Sequence, residues 1–201
     1  NIPDPGYLST VRQICNDNNW LMMLDEIQTG MARSGRMFAF QHEDILPDVL
    51  TLAKALGNGI PIGACLAAGK ANSVFKPGNH GSTFGGNPFA CFVGQSVMRT
   101  MSEQNLAANA AARGEQLVTY LKQQLVDIDA VKDIRNLGLL VGLTLDRNCG
   151  ELTRIALENR LLINVTANNV IRLLPPLIID EQQTLELADR LISSITQFIQ
   201  E

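Results

Sequence analysis

The chain has 201 residues, 46% of them hydrophobic and 18% charged, with a formal net charge of −4. This is a globular composition with room for a sizeable core, and its slight acidity leaves no basic footprint for nucleic acid or an anionic membrane surface. No apolar run approaches the roughly 20 residues of a membrane span, and Cys15, Cys65, Cys91 and Cys149 form no C-x-x-C pair, which disfavours a zinc site or a disulfide framework and favours a reducing, cytoplasmic setting.

The chain opens Asn1-Ile2-Pro3-Asp4-Pro5-Gly6, without an initiator Met or a signal-peptide pattern, and reads as a piece of a longer polypeptide. Leu8, Val11 and Cys15 share one face of a short helix. Residues 20–24 and 49–53 are short, continuously apolar runs, expected to be strands covered on both faces of a parallel sheet; residues 62–68 form a third. Strands separated by crossovers predict an α/β layer architecture. Residues 89–101 are apolar and small, as in a buried helix. Residues 106–125 are Ala- and Gln-rich, with Leu117, Val118, Leu121 and Leu125 on one face. Two β-like segments, 139–145 and 170–179, precede a closing helix from about Glu181. Asp180 and Gln183 have capping-box spacing, and Ala188, Leu191, Ile192, Ile195 and Ile199 form an apolar stripe. A domain boundary is expected near residue 106.

Four places carry chemistry. Asp25, in Leu24-Asp25-Glu26-Ile27-Gln28, falls at a strand's carboxyl end, where open parallel sheets bind ligands. A carboxylate there can keep a pyridine nitrogen protonated; it can equally be an acid that ends a strand. Lys54 follows a buried strand and precedes Ala55-Leu56-Gly57-Asn58-Gly59. Its amine can form an imine, or simply snorkel to solvent. Ser82 and Thr83 lie in His80-Gly81-Ser82-Thr83-Phe84-Gly85-Gly86, a loop able to offer N–H and hydroxyl donors to phosphate, or an ordinary turn. Arg172, in Val170-Ile171-Arg172-Leu173-Leu174-Pro175-Pro176, is suited to a bidentate carboxylate partner, either a substrate or an internal acid. Gly63 to Lys70 mimics a phosphate-binding loop, but its glycine spacing is one residue too long and Ala71 replaces the hydroxyl.

The order of acid, amine and hydroxyl loop is what a pyridoxal 5'-phosphate (PLP) site needs. With Leu52-Ala53-Lys54-Ala55-Leu56-Gly57, Pro61-Ile62-Gly63-Ala64, Gly85-Gly86-Asn87-Pro88, Gly138-Leu139-Leu140-Val141-Gly142 and the Arg172 segment, the chain resembles the class III, fold-type I PLP-dependent aminotransferases along its whole length. The resemblance implies that residues 1–106 are the C-terminal part of the PLP-binding large domain, a mainly parallel sheet with helices on both faces. Residues 107–201 would be a small C-terminal α+β domain.

It implies Lys54 as the Schiff-base lysine and proton carrier, and Asp25 as the partner of the pyridinium nitrogen. Gln28 would meet the phenolic oxygen, with Glu26 and Ile27 also among the cofactor residues. Thr83 would reach the cofactor phosphate of a second copy in a homodimer. Ser82 would lie near the amino donor, and Arg172 would hold a carboxylate such as that of 2-oxoglutarate. The implied reaction moves the terminal amino group of N-acetylornithine to 2-oxoglutarate, in arginine biosynthesis. Ornithine, succinylornithine and 4-aminobutyrate are the alternative donors. The family pattern commonly has glycine where this chain has Ala32 and Asn58. Members are about twice this long, so the piece by itself is expected to be inactive, and a non-catalytic folded fragment is the reading from outside enzymology.

Overall fold

A computed structural model describes residues 1–200. The chain divides into two compact units, Asn1–Ala107 and Ala108–Glu201.

In the first unit, α1 (Tyr7–Asp17) leads into β1 (Met23–Asp25), β2 (Val49–Leu52) and β3 (Ala64–Ala67), and α2 (Pro88–Glu103) follows. The sheet order is β1-β2-β3. β1 and β2 are parallel, with Met23 opposite Val49 and Asp25 opposite Thr51. β3 runs antiparallel to β2, with Ala64 opposite Leu52. The expected parallel pairing is therefore realised between β1 and β2, and the sheet as a whole is mixed.

Two burial expectations change. The run at residues 20–24 is not covered on both faces: Trp20 and Met23 are 59% and 63% exposed. β1 is an edge strand with one neighbour, and Met22, just before it, is buried. α2 forms where the sequence predicts a helix, opened by Asn87, whose side chain accepts the Ala90 N–H. Its small residues Ala90 and Gly94 are buried while Phe89 and Phe92 are exposed. Close approach by small side chains leaves the large ones on the opposite face.

In the second unit, α3 (Leu106–Gln124) is followed by β4 (Val131–Leu137), β5 (Leu140–Leu145), α4 (Leu152–Glu158), β6 (Asn164–Thr166), β7 (Val170–Leu173) and α5 (Glu181–Gln200). The sheet order is β4-β5-β7-β6, antiparallel throughout. Leu117, Val118, Leu121 and Leu125 pack with Val141, Leu143, Ile171, Leu173, Ala188, Leu191 and Ile195 in one core. At roughly 25 cal/mol per Å² of apolar area removed from water, such burial is the main stabilising contribution. A Cβ on Gly114 would lie 2.0 Å from the Gly138 carbonyl oxygen, so α3 rests directly on the β4–β5 turn. α5 begins with the expected capping box: the Gln183 N–H donates to Asp180 Oδ1 at 2.8 Å, and the Asp180 N–H donates to Gln183 Oε1 at 3.1 Å. β7 ends at Leu173 rather than running to residue 179, because Pro175 and Pro176 have no N–H for a ladder.

Among the described residues no helix is long and apolar enough to cross a membrane. All four cysteines are unpaired.

The start of the first sheet is clamped by Asp48. Its Oδ2 accepts the Met22 N–H at 2.7 Å and Arg12 Nη1 at 2.8 Å, joining α1 to the entries of β1 and β2. The Met22 N–H, with Arg12 beside it, holds the Asp48 carboxyl below its usual range. A depressed folded pKa contributes stability above the unfolded value of about 3.9, and that contribution is lost as pH falls through the folded value. Asp48→Asn is therefore expected to cost about 1.5–3 kcal/mol at pH 7, the scale of hydrogen bonds to a charged group, and to flatten the acid limb of stability. Urea unfolding of both proteins at pH 7 and in acid measures this; parallel pH curves would contradict it.

Candidate active site

Because β1 and β2 are parallel, their carboxyl ends emerge side by side, about 4.8 Å apart. Asp25 is the last residue of β1, and Lys54 stands two residues beyond the last residue of β2. The ladder continues one step past the strands, with the Glu26 N–H donating to the Thr51 carbonyl at 3.0 Å. Since β3 is antiparallel, its first residue, Ala64, and the preceding residues 61–63 return to the same edge.

Asp25 is exposed, and its Oδ1 accepts the Ile27 N–H at 3.0 Å. This turn directs residues 26–28 away from the strand. Glu26 is 3% exposed. Its carboxylate, expected among the cofactor groups, instead accepts the Ala39 N–H at 2.6 Å and the Phe40 N–H at 2.9 Å. Neighbours in an extended segment point to opposite faces, so of the two acids only Asp25 presents an exposed carboxylate. Ile27 is half-buried and Gln28 exposed.

Lys54 is exposed and has φ +46°. A lysine has no intrinsic preference for left-handed backbone, which costs about 1–2 kcal/mol there; such strain persists where surrounding structure enforces it, commonly at functional sites. Here the enforcement is a 3-10 turn, Lys54–Leu56, closed by the Leu56 N–H to the Ala53 carbonyl and the Gly57 N–H to the Lys54 carbonyl. A Cβ on Gly57 would lie 1.9 Å from the Ile60 oxygen and 2.8 Å from Ile62 Cγ2. The other face of the turn meets α2, where a Cβ on Gly94 would be 3.5 Å from the Leu56 oxygen. The two departures from the family's glycine pattern also fall on left-handed backbone, Ala32 at φ +67° and Asn58 at φ +43°.

Ser82 and Thr83 belong to a separate exposed loop ahead of α2, where Ser82 Oγ accepts the Gly85 N–H at 2.9 Å. Arg172 lies in the second unit on β7, paired with Gly142 of β5 and Asn164 of β6. Its Nε is buried without a hydrogen-bond partner, which an isolated guanidinium tolerates poorly. Sequence reasoning quoted residues 61–63 for the resemblance without placing them at this edge, and it missed the supporting N–H groups of Ala39 and Phe40. The first needed the strand direction; the second needed the loop closure across residues 26–40.

An exposed carboxylate and a primary amine on neighbouring strand ends, an amide one turn away and a hydroxyl loop ahead of a helix are the residue types that a phosphorylated pyridine aldehyde calls for. The chain belongs to the class-III aminotransferases, whose family model matches residues 1–195; the cofactor of that family is PLP.

Acetylornithine aminotransferase 1 of Bordetella bronchiseptica is 46% identical over 98% of this chain and 50% of its own length. The acetylornithine aminotransferase of Nitrosomonas europaea is 44% identical over 100% of this chain and 51% of its own. Among solved structures, the ornithine aminotransferase of Toxoplasma gondii superposes with a TM-score of 0.95 at 36% identity, over 100% of this chain and 49% of that one. A second structure of that enzyme is described as having partial occupancy of PLP at its active site. The chain spans about half the length of the curated relatives it matches.

The Gly57 contact sets a requirement on the lysine turn. Gly57→Ala is expected to destabilise the protein by about 1–3 kcal/mol, the range for overpacking a tight contact. Thermal and urea unfolding measure it; wild-type stability would contradict the packing described.

Proposed function

We propose that the protein to which this chain contributes is a PLP-dependent transaminase. In this reading it moves the terminal amino group of N-acetylornithine to 2-oxoglutarate and serves arginine biosynthesis in the cytoplasm. The observation that carries the reading is the shared carboxyl edge of β1 and β2, where Asp25 and Lys54 emerge on adjacent parallel strands. The names of the relatives support the donor.

Bound PLP supplies a carbonyl for the lysine amine and a ring that accepts electrons. The residues of this chain would contribute as follows. Lys54 would hold the cofactor through its Nζ, and the same amine would be the group that takes and returns a proton on the substrate carbon. Asp25 would keep the ring nitrogen protonated, and Gln28 and Ile27 would help to hold the ring. Thr83 would hold the cofactor phosphate of a second copy in a homodimer, and Ser82 would serve the amino donor. Arg172, whose Nε has no hydrogen-bond partner, would take a substrate carboxylate.

The likeness to ornithine aminotransferase at a TM-score of 0.95 favours ornithine as the second donor to assay. Steady-state rates of the full-length protein with N-acetylornithine and with ornithine discriminate the two, and the proposed donor has the higher kcat/KM.

Lys54→Ala in the full-length protein is expected to lower kcat by at least about 10²–10⁴-fold, the contribution of a positioned acid–base group, with the fold retained. Unchanged kcat would refute the assignment. Arg172→Ala is expected to raise KM for 2-oxoglutarate by about 10–100-fold, the equivalent of lost charge-assisted hydrogen bonds. A fall in melting temperature with KM intact would instead mark Arg172 as a partner of an internal acid.

A further inference from the structure

We propose that Glu26 is the positioning residue that sets the orientation of Asp25 and Gln28 toward the cofactor, acting from the opposite face of the chain. The inference rests on the PLP reading above and deepens it.

Glu26 is fixed at every polar group it has. Its N–H donates to the Thr51 carbonyl at 3.0 Å, and its carbonyl accepts the Gly30 N–H at 3.1 Å. One carboxylate oxygen accepts the Ala39 N–H at 2.6 Å, the other the Phe40 N–H at 2.9 Å. Ala39 and Phe40 open a 3-10 turn, Ala39–His42, so a buried acid takes two N–H groups that the turn itself cannot satisfy. Charge-assisted bonds of this kind are short and directional. Residues 26 and 39 are thereby locked together, and the segment between them closes into a loop.

The neighbours have no such hold. Asp25 and Gln28 are exposed, and the side-chain bond that ties Asp25 locally is to the Ile27 N–H, within the same turn. Glu26 fastens that turn to β2 on one side and to residues 30, 39 and 40 on the other. A carboxylate aimed at a ring nitrogen loses much of its effect if displaced by about 1 Å. Glu26 therefore contributes to cofactor binding without touching the cofactor.

The test uses the full-length protein and PLP itself, with two readouts on folded material: the PLP dissociation constant, and the pH midpoint at which the bound cofactor's visible band titrates. Glu26→Ala removes both acceptors and Glu26→Gln removes one. Ala39→Pro removes a single donor while leaving Glu26 intact; proline suits the first position of a turn, and the preceding Phe38, at φ −132° and ψ 146°, has the backbone that precedes proline.

Expected is a dissociation constant raised roughly 10–100-fold in Glu26→Ala, the scale on which outer hydrogen-bond partners tune a ligand site. Smaller rises are expected in Glu26→Gln and Ala39→Pro, each with a shifted midpoint. A lower melting temperature with wild-type dissociation constant and midpoint in the folded variants overturns the proposal. If Glu26→Ala does not fold, the other two variants decide by the same criteria. Wild type and Lys54→Ala are measured alongside. A wild type without a lysine-dependent band refutes the PLP reading itself, whereas an intact band insensitive to all three changes refutes only the role of Glu26.

Discussion

Parallel pairing of β1 with β2, Met23 to Val49 through Asp25 to Thr51, forces two carboxyl ends to one edge of the sheet. The placement of Asp25 and Lys54 follows from that direction. Were the pair antiparallel, the ends carrying Asp25 and Lys54 would lie at opposite edges of strands only three and four residues long. Backbone hydrogen bonds set the spacing of the strands, so the acid and the amine are brought to the same edge by the ladder itself, before any side chain chooses a rotamer. The antiparallel return of β3 then adds residues 61–63 to the same edge.

Around that edge the protein trades local comfort for fixed geometry. Lys54 is held in left-handed backbone by a turn that is itself pinned on Gly57 and seated on α2. Asp25 is exposed, yet the residue after it is buried and hydrogen-bonded on all sides. Exposed reactive groups on immobilised backbone are what preorganised sites need: the chemistry stays accessible while the framework absorbs the strain. The second unit has a more conventional logic. Its single core joins α3, the antiparallel sheet and α5, and β7 carries Arg172 with a buried, unpartnered Nε.

Much of this was legible in the residues. The apolar stripe and Asp180/Gln183 box of α5, the Leu117–Leu121–Leu125 face of α3 and the Val49 strand each state their structure through period or capping chemistry. β4 was not legible, because Lys132, Asp133 and Arg135 break its apolar pattern and only cross-strand pairing with β5 reveals it. Apolar composition also overstated burial: Trp20, Phe89 and Phe92 are exposed, since burial depends on a covering layer that sequence period does not specify. At the site, the acid–amine–hydroxyl order is a one-dimensional signal that names the candidates. Which of Asp25 and Glu26 presents its carboxylate is a question of loop closure, and only residues 39 and 40 answer it.

The most direct test of a shared Asp25–Lys54 site is to reduce the full-length protein with borohydride in the presence of PLP and map the modified peptide, with and without Asp25→Asn. A site built on the common edge of β1 and β2 predicts a single pyridoxyl adduct on Lys54, with its yield at limiting cofactor reduced by the Asp25 change. An adduct on another lysine, or a Lys54 adduct indifferent to residue 25, would contradict it.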